Sequence, residues 1–183
     1  MKLTVARALS DLRPVLMDST ASGSDVVYWV FAEISQEKFA DLTVIAAGKI
    51  GREFPKTFGH YHQVDVLETY KLISGNGILV LQKKTSNPKT VSEVLLVRAS
   101  QGDEIVIPPE YGHSWSNVGV EPLLLADDWR SGHTPADYQV MAELHGLAYY
   151  LTGTSQNILP VANQNYLDLP PFKWITTADL AKI

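Results

Sequence analysis

The chain has 183 residues, of which 45% are hydrophobic, and a formal net charge of −5 at pH 7. This length supports one domain with a substantial core, and the scattered basic residues form neither a nucleic-acid footprint nor a polybasic lipid-binding surface. Cysteine is absent, which excludes disulfides and thiolate ligands and leaves His and carboxylate as the strong candidate metal ligands. The N-terminus lacks a signal-like apolar run, and no segment has the roughly 20 apolar residues of a membrane span. We therefore expect a soluble cytoplasmic protein without nucleic-acid or membrane partners.

The predicted elements follow an N-terminal extension, residues 1–24, whose first 20 or so residues we expect to be peripheral. Short apolar runs rich in Val, Ile, Leu and aromatic residues then recur, separated by turn-forming clusters such as the one at residues 74–77. The predicted strands cover residues 26–32, 42–46, 66–73, 78–81, 94–97, 105–107 and 123–126. This rhythm is typical of an all-β sandwich or barrel, with a core of about residues 25–130.

A short helix is predicted to follow the strands. Thr134 can cap it, Pro135 suits its first turn, and Asp137 favours the positive end of a helix. The helix should run to about residue 145, where Gly146 ends it. Residues 147–151 and 158–162 are predicted to form a hairpin or barrel-edge strands, and residues 176–182 a helical turn. Because neither a composition break nor an internal repeat divides the sequence, we expect residues 1–183 to form a single domain.

Three histidines and one glutamate form a candidate metal-binding set. His60 and His62 alternate with Tyr61, so on a strand both imidazoles lie on the same face. Glu68 follows six residues after His62, and His113 lies in a second, separate region. Three neutral imidazoles and one carboxylate suit Fe²⁺, Mn²⁺, Ni²⁺ or Zn²⁺, and an octahedral ion would keep two adjacent open positions.

The two histidine regions resemble the paired signatures of the cupin superfamily. Six residues separate Glu68 from Gly75 in the first, and Gly102 is followed by Pro108, His113 and Asn117 at the family spacing in the second. Within that superfamily the chain is similar to the cupin-type glucose-6-phosphate isomerases of archaea and some bacteria. The similarity covers roughly residues 25 to 140 and lies in residues 26–28, 43–45, 48–54, 57–62, 68–70 and 108–122.

The resemblance implies a jelly-roll barrel that interconverts glucose 6-phosphate and fructose 6-phosphate in glycolysis and gluconeogenesis, acting as a homodimer. The expected cofactor is one divalent metal ion per subunit, Fe²⁺ first and Mn²⁺, Ni²⁺ or Zn²⁺ as alternatives, chelating sugar oxygens O1 and O2. Glu68 and Tyr70 are the expected catalytic residues. The phosphate is expected to meet hydroxyls and backbone amides rather than an arginine cluster: Tyr28, Thr43, Thr57, the Gly59 backbone and Tyr138.

Other functions are compatible with the same site. Hydrogen transfer between C1 and C2 can follow a cis-enediol route with Glu68 as base or a metal-assisted hydride shift, and the sequence does not choose between them. An Fe(II)-dependent cupin dioxygenase would use the same ligand types with open positions for O₂. A non-catalytic cupin that binds sugar phosphates is the third alternative.

Two further histidines and two neighbours of the site receive structural interpretations. His133 and His145 lack a ligand-like spacing, so we expect structural or exposed roles for both. Tyr61 alternates with the ligands and is expected to pack on the other strand face. Lys56, beside Thr57, is expected to be solvated.

Residues 127–129, near the end of the core, include two adjacent carboxylates and a tryptophan. Asp127 and Asp128 are adjacent on a predicted strand and point to opposite faces, so paired-carboxylate chemistry is discounted. Trp129 stands where the resembling family has a tyrosine, which removes one hydroxyl from the expected substrate contacts.

Overall fold

The computed structural model describes residues 1–64, 67–129 and 132–183. Within these residues the chain is mainly β-structure with three short α-helices. The strands are β1 (Lys2–Ala8), β2 (Val26–Ala32), β3 (Asp41–Ile45), β4 (Glu68–Ser74), β5 (Gly77–Lys84), β6 (Val91–Ala99), β7 (Glu104–Ile107), β8 (Tyr111–Asn117), β9 (Leu123–Asp127), β10 (Tyr149–Gly153), β11 (Ile158–Ala162) and β12 (Lys173–Ile175). The helices are α1 (Leu9–Leu12), α2 (Pro135–Glu143) and α3 (Thr177–Leu180).

The strands form two main sheets whose apolar faces share one core. The larger sheet has the order β1-β2-β3-β9-β4-β7, and the smaller has the order β12-β6-β5-β8. Beyond β8, single bridges from Lys56 to Ser116 and from His60 to His113 add the segment before β4 to the smaller sheet. The resulting orders, β3-β9-β4-β7 and this segment-β8-β5-β6, are those of a double-sheet jelly roll. The expected all-β cupin-type architecture is confirmed.

Glycines allow close approaches at two points of the barrel. Gly75, in the turn between β4 and β5, has φ +94°, and a Cβ there would lie 2.7 Å from the carbonyl oxygen of Pro122. Gly112 in β8 lies under the ring of Tyr61, where an added Cβ would come within 2.5 Å of the ring. A side chain at either position would force the backbone or the packed ring to move.

The predicted strands are confirmed as elements, with different bounds. The predicted strand 66–73 corresponds to β4, although its first residue, Val66, lies outside the described residues. Strand β6 is longer than predicted, Val91–Ala99, and β12 was not predicted because it has only three residues. Strand β8 was also missed as an apolar run, because its buried positions include His, Ser and Asn.

The expectation that the first 20 or so residues are peripheral is wrong. Strand β1 pairs antiparallel with β2 and forms one edge of the larger sheet. The helical turns that follow bury Leu12 and Val15 completely, each with 0% exposure. Their apolar side chains join the main core because the turns lie directly against it. The N-terminal segment is therefore an integral part of the fold.

The elements after the barrel core match their predictions. Helix α2 begins after Thr134, whose backbone N–H and hydroxyl both donate to the Asp137 carboxylate at 2.7 and 3.1 Å. The helix ends at Glu143, two residues before the predicted end, and Gly146 follows with φ +107°. Strands β10 and β11 form the predicted antiparallel hairpin, and α3 lies within the predicted turn at residues 176–182.

A buried glutamine connects the barrel to the region before β10. Gln82 in β5 has 0% exposure, and its amide nitrogen donates to the hydroxyls of Tyr61 at 2.7 Å and Tyr166 at 2.9 Å. Its amide oxygen accepts a hydrogen bond from the Ala148 backbone N–H at 2.7 Å. All these groups are polar and lie inside the core, so the network fixes how the C-terminal region sits on the barrel.

In the portions of the chain that the structure describes, none of the helices combines the length and apolar character that a membrane crossing needs.

Candidate metal centre

The four candidate ligands come from three segments that the barrel brings together. His113 lies in β8, and its backbone exchanges two hydrogen bonds with that of His60, at 2.9 and 3.1 Å. His62 follows two residues later on the same segment, and Glu68 opens β4 in the opposite sheet. The jelly-roll closure thus places residues from both sheets around one point inside the barrel.

The ligand atoms of these residues converge. The Oε2 atom of Glu68 lies 3.0 Å from Nε2 of His62, 3.1 Å from Nε2 of His113 and 3.8 Å from Nε2 of His60. All four ligand atoms lie within 4.8 Å of one another. Each residue is buried, with exposures of 7% or less. The arrangement predicted from the sequence, three imidazoles and one carboxylate around a common point, is present in the fold.

Several polar atoms of this cluster have no other partner in the described residues. The imidazole Nε2 atoms of His60 and His113 and the Oε1 atom of Glu68 are buried without a hydrogen bond. An unpaired buried polar group typically costs about 1–3 kcal/mol. A divalent cation would satisfy such atoms, and imidazole with carboxylate is a donor set that transition-metal ions bind. The residues therefore fit a metal ion.

Burial and mutual contacts also favour the protonation states that bind metal. Burial, and the neighbouring imidazoles of His113 and His133, hold the pKa of His60 well below its ordinary value. Burial acts to raise the pKa of Glu68, but the imidazoles of His113 and His62 hold it well below its ordinary value. A neutral imidazole and an ionised carboxylate are the forms that coordinate a cation.

A cavity of about 750 Å³ opens beside this cluster. His60 and Tyr70 lie in its wall, so the cavity reaches the candidate metal centre. The five residues expected from the resemblance to contact phosphate all line it as well: Tyr28, Thr43, Thr57, Gly59 and Tyr138. The five residues and one of the four candidate ligands, His60, therefore line one space, and the other three ligands lie next to His60.

The polar groups of the wall are held in fixed positions. The Thr57 hydroxyl accepts the Trp115 backbone N–H at 3.1 Å and lies 3.2 Å from the Ser114 hydroxyl. Gly59 has φ +81°, and a Cβ there would come within 3.2 Å of the His113 carbonyl oxygen. The chain can therefore run close to the metal centre at this glycine, leaving its backbone accessible from the cavity.

His133, for which a structural or exposed role is expected, lies half-buried beside the candidate ligands. Its ring lies 4.0 Å from that of His60 and stacks on Trp129 at 5.7 Å with an interplanar angle of 8°. Burial lowers the pKa of His133 to about 4. Trp129 in turn lies 4.2 Å from the His62 ring. No spacing marked His133, because it reaches the site through a loop that precedes α2. His145, by contrast, is exposed as expected.

Asp127 is a second residue that the sequence argument set aside. The side chains of Asp127 and Asp128 have different surroundings, as expected. The Asp127 side chain lines the cavity and is only 6% exposed. Burial, with a contribution from the Glu68 charge, raises the pKa of Asp127 to about 8. Its Oδ1 accepts the Trp129 backbone N–H at 3.2 Å. The cavity therefore contains a carboxyl that its surroundings keep protonated near neutral pH.

Of the expectations for two neighbours of the site, the one for Lys56 is wrong and the one for Tyr61 is confirmed. Lys56, expected to be solvated, is buried to 8% exposure, where it forms an ion pair with Glu53 and lies over the Tyr150 ring. Its sequence position gave no sign of this pairing, because Glu53 and Lys56 belong to an irregular segment. Tyr61 packs in the core as predicted and is 4% exposed.

Comparison with known families agrees with this arrangement. The family model described as glucose-6-phosphate isomerase (GPI) matches residues 6–168. The chain belongs to the glucose-6-phosphate isomerase family. A glucose-6-phosphate isomerase of Thermococcus onnurineus is 36% identical over 130 residues, covering 66% of each chain. One from Thermococcus litoralis is 33% identical over 150 residues, covering 75% of this chain and 74% of that one.

Two solved structures show partial structural similarity to this member of the glucose-6-phosphate isomerase family. The Schizosaccharomyces pombe Cnp3 cupin domain is 15% identical, with a TM-score of 0.37 over 55% of this chain and 61% of that one. An oxalate oxidase in complex with glycolate is 13% identical, with a TM-score of 0.39 over 55% of this chain and 40% of that one. The jelly roll is defined by the strand order of the chain itself.

Proposed function

We propose that this protein is a metal-dependent aldose–ketose isomerase that interconverts glucose 6-phosphate and fructose 6-phosphate. The observation that carries the proposal is the convergence of His60, His62, Glu68 and His113 beside a cavity of about 750 Å³ whose wall includes His60. Membership of the glucose-6-phosphate isomerase family supports the choice of substrate. The cavity volume is within the range of about 300–1,000 Å³ that small-molecule sites occupy.

The four converging side chains would hold one divalent ion per subunit, Fe²⁺ being the expected ion and Mn²⁺, Ni²⁺ or Zn²⁺ the alternatives. When bound, such an ion would act as a Lewis acid and would orient the substrate by chelating sugar oxygens O1 and O2. Burial of the ligands strengthens these interactions because water does not compete inside the barrel.

Glu68 and Tyr70 are the proposed catalytic residues of the chain. The two oxygens of Glu68 differ, since Oε2 contacts histidines whereas Oε1 is buried without a hydrogen-bond partner among the described residues. In the cis-enediol route, Oε1 would take the proton from C2 of the aldose and return it at C1, while the proton of the C2 hydroxyl passes to O1. In a hydride shift, the hydrogen would move with its electron pair directly from C2 to C1, the same hydroxyl proton would pass to O1, and Glu68 would act only as a ligand. Burial and the Glu68 charge raise the pKa of Tyr70 well above its ordinary value. Tyr70 therefore stays a neutral hydroxyl and can donate a hydrogen bond to a sugar oxygen.

The remaining wall residues orient the substrate in this proposal. Tyr28, Thr43, Thr57, the Gly59 backbone and Tyr138 would donate hydrogen bonds to the phosphate. Burial raises the pKa of Tyr138 to about 12, so its hydroxyl keeps its proton at neutral pH. A phosphate fixed at one end would place C1 and C2 at the metal end, which is how distant binding groups support a reaction.

Three further statements are part of the same proposal. The whole chain acts as a single domain, the active form is a homodimer, and the enzyme works in the cytoplasm. The single domain follows from the uninterrupted composition and the cytoplasmic setting from the absence of cysteine, whereas the homodimer follows from the resemblance to cupin-type isomerases. The integration of the N-terminal segment into the larger sheet supports the single domain.

The decisive experiment is an isomerase assay after metal exchange. The protein is stripped with a chelator, then Fe²⁺, Mn²⁺, Ni²⁺ and Zn²⁺ are restored separately, and glucose 6-phosphate formed from fructose 6-phosphate is measured with a coupled dehydrogenase. We expect activity that disappears on stripping and returns with at least one ion. Oxygen consumption after iron loading, without isomerase activity under any ion, would replace the proposal with a dioxygenase. Tight binding of sugar phosphate without turnover would replace it with a binding protein.

A further inference from the structure

Arg7 is placed at the phosphate end of the cavity by the N-terminal strand. It lies in β1 opposite Tyr28 of β2, and it lines the same cavity as the five proposed phosphate residues. Its Cζ atom lies 5.6 Å from the Tyr138 ring centroid and 5.9 Å from that of Phe58. Arg7 is therefore next to two of the proposed phosphate donors, Tyr28 across the strand pair and Tyr138 on α2.

A phosphate bound near Tyr28 and Tyr138 would be stabilised by a cation in the cavity wall. Among the described residues of the wall, Arg7 is the only arginine or lysine. Three carboxyl side chains line the same space, those of Glu33, Asp41 and Asp127. A phosphate monoester carries close to two negative charges at neutral pH. Hydroxyls alone would leave that charge without a cation beside Glu33 and Asp41, whereas burial raises the pKa of Asp127 to about 8 and keeps it neutral.

The guanidinium is positioned by neutral groups. Burial opposes its charge, but the hydroxyls of Tyr28 and Tyr138 raise the pKa of Arg7 above its ordinary value. These two hydroxyls are its main electrostatic partners among the described residues, and its Nε atom is buried without a hydrogen-bond partner. Aromatic packing and tyrosine hydroxyls thus hold the side chain in place without neutralising it, which leaves its positive charge available to an anion.

We propose that Arg7 binds the phosphate of the substrate and determines the preference for phosphorylated over free sugars. This inference rests on the proposed isomerase function for the identity of the substrate, but it also predicts binding of inorganic phosphate by itself. The guanidinium would donate two hydrogen bonds to phosphate oxygens, while Tyr28 and Tyr138 complete the contacts. The expectation that hydroxyls and amides alone form the phosphate site would then be incomplete.

The test compares Arg7→Gln with Arg98→Gln in the metal-loaded protein. Arg98 is exposed on β6, where it lies over Trp174 and away from the cavity, so its replacement makes the same change in net charge. Isomerase kinetics give kcat and KM for fructose 6-phosphate, and calorimetry gives Kd for inorganic phosphate. Hydrogen bonds to charged groups predict a rise of about 10- to 150-fold in both KM and Kd for Arg7→Gln, with little change in kcat. Arg98→Gln should match the wild type.

The outcomes separate this inference from the proposed function. If the wild type is an isomerase and Arg7→Gln leaves KM and phosphate Kd unchanged, Arg7 is not a phosphate residue and the isomerase proposal stands. If the wild type binds inorganic phosphate but has no isomerase activity, and Arg7→Gln no longer binds phosphate, the Arg7 site stands and the isomerase proposal fails. Should Arg7→Gln fail to fold, Arg7→Lys retains the charge and the stem but loses the fork. It should raise phosphate Kd several-fold, and an unchanged value would overturn the inference.

Discussion

At the scale of single residues, the buried ligands make a specific prediction about activity. Replacing His62 or Glu68 by alanine should lower isomerase activity at least about 100-fold, since even changes in residues that support metal ligands often cost 10- to 100-fold. The fold should survive because the core is built from the apolar faces of the two sheets. Coupled assays measure the activity, mass spectrometry measures the metal content, and circular dichroism shows whether the fold is kept.

The matched control for the ligand variants is His145→Asn. His145 is exposed and has φ +57°, a conformation that asparagine tolerates. Its variant should keep both activity and metal content. Full activity in a Glu68→Ala protein shown to be metal-free would refute the mechanism. Unfolding of that protein, rather than inactivation, would show that the ion has a structural role.

The buried carboxyl of Asp127 predicts a dependence of stability on pH. Burial raises its pKa to about 8 in the folded protein from an ordinary value of 3.8. Between these values the folded chain keeps a proton that the unfolded chain has lost. Stability should therefore fall as pH rises through this range, by at most about 1.4 kcal/mol per pH unit. Asp127→Asn removes this cost, so its advantage over the wild type should grow from pH 4 to pH 8.

Denaturant unfolding of the metal-stripped protein at several pH values measures the Asp127 effect. The control is Asp128→Asn, which changes the adjacent, half-buried carboxyl that accepts the Thr69 backbone N–H at 2.7 Å. Its free energy of unfolding, relative to the wild type, should vary much less with pH. Identical pH profiles for the two variants would contradict the assignment of the buried charge to Asp127.

At the scale of elements, the sequence predicted those whose signal is local. The Ser74-Gly75-Asn76-Gly77 turn, the Thr134 cap and the hairpin at β10–β11 each depend on neighbouring residues, and each is present. Strands β1 and β12 were missed because both have mostly exposed or half-buried side chains, so neither contains an apolar run that would mark a strand.

The same distinction applies to the site. His60, His62, Glu68 and His113 were recognisable because metal ligands have characteristic spacings. Arg7 and His133 were not, because the tertiary fold alone brings them to the cavity. Asp127 was discounted by a correct local argument about strand faces, which could not say which face belonged to the cavity.

The Gln82 network predicts how firmly the C-terminal region is attached to the barrel. Gln82→Leu removes the acceptor of the Ala148 N–H and the donor to the Tyr61 and Tyr166 hydroxyls. An unsatisfied buried group costs about 1–3 kcal/mol, which corresponds to a fall in Tm of roughly 2–12 °C for a chain of this size. Calorimetric melts should show this fall, whereas Gln164→Leu, on an exposed side chain, should change Tm by no more than about 2 °C. Equal effects would mean that the network does not attach this region.

At the scale of the whole molecule, the homodimer stays a prediction with a direct measurement. Light scattering coupled to size-exclusion chromatography should give about twice the chain mass of 20.2 kDa. Exposed apolar side chains such as Leu3 in β1 and Val106 in β7, 50% and 45% exposed, offer surface that a second copy could bury. A mass that stays at that of one chain across micromolar concentrations would contradict the prediction.

The pairing of β3 with β9 also determines when the cavity can exist. These strands come from opposite ends of the core sequence, and their pairing closes the larger sheet between β2 and β4. Contacts between distant segments form late, because chain entropy must be lost before they contribute. On the ribosome, the edge of β3 stays unpaired until β9 has emerged. The nascent chain therefore carries its histidines for most of its synthesis without a pocket, and competence to bind metal and substrate arises in one late step.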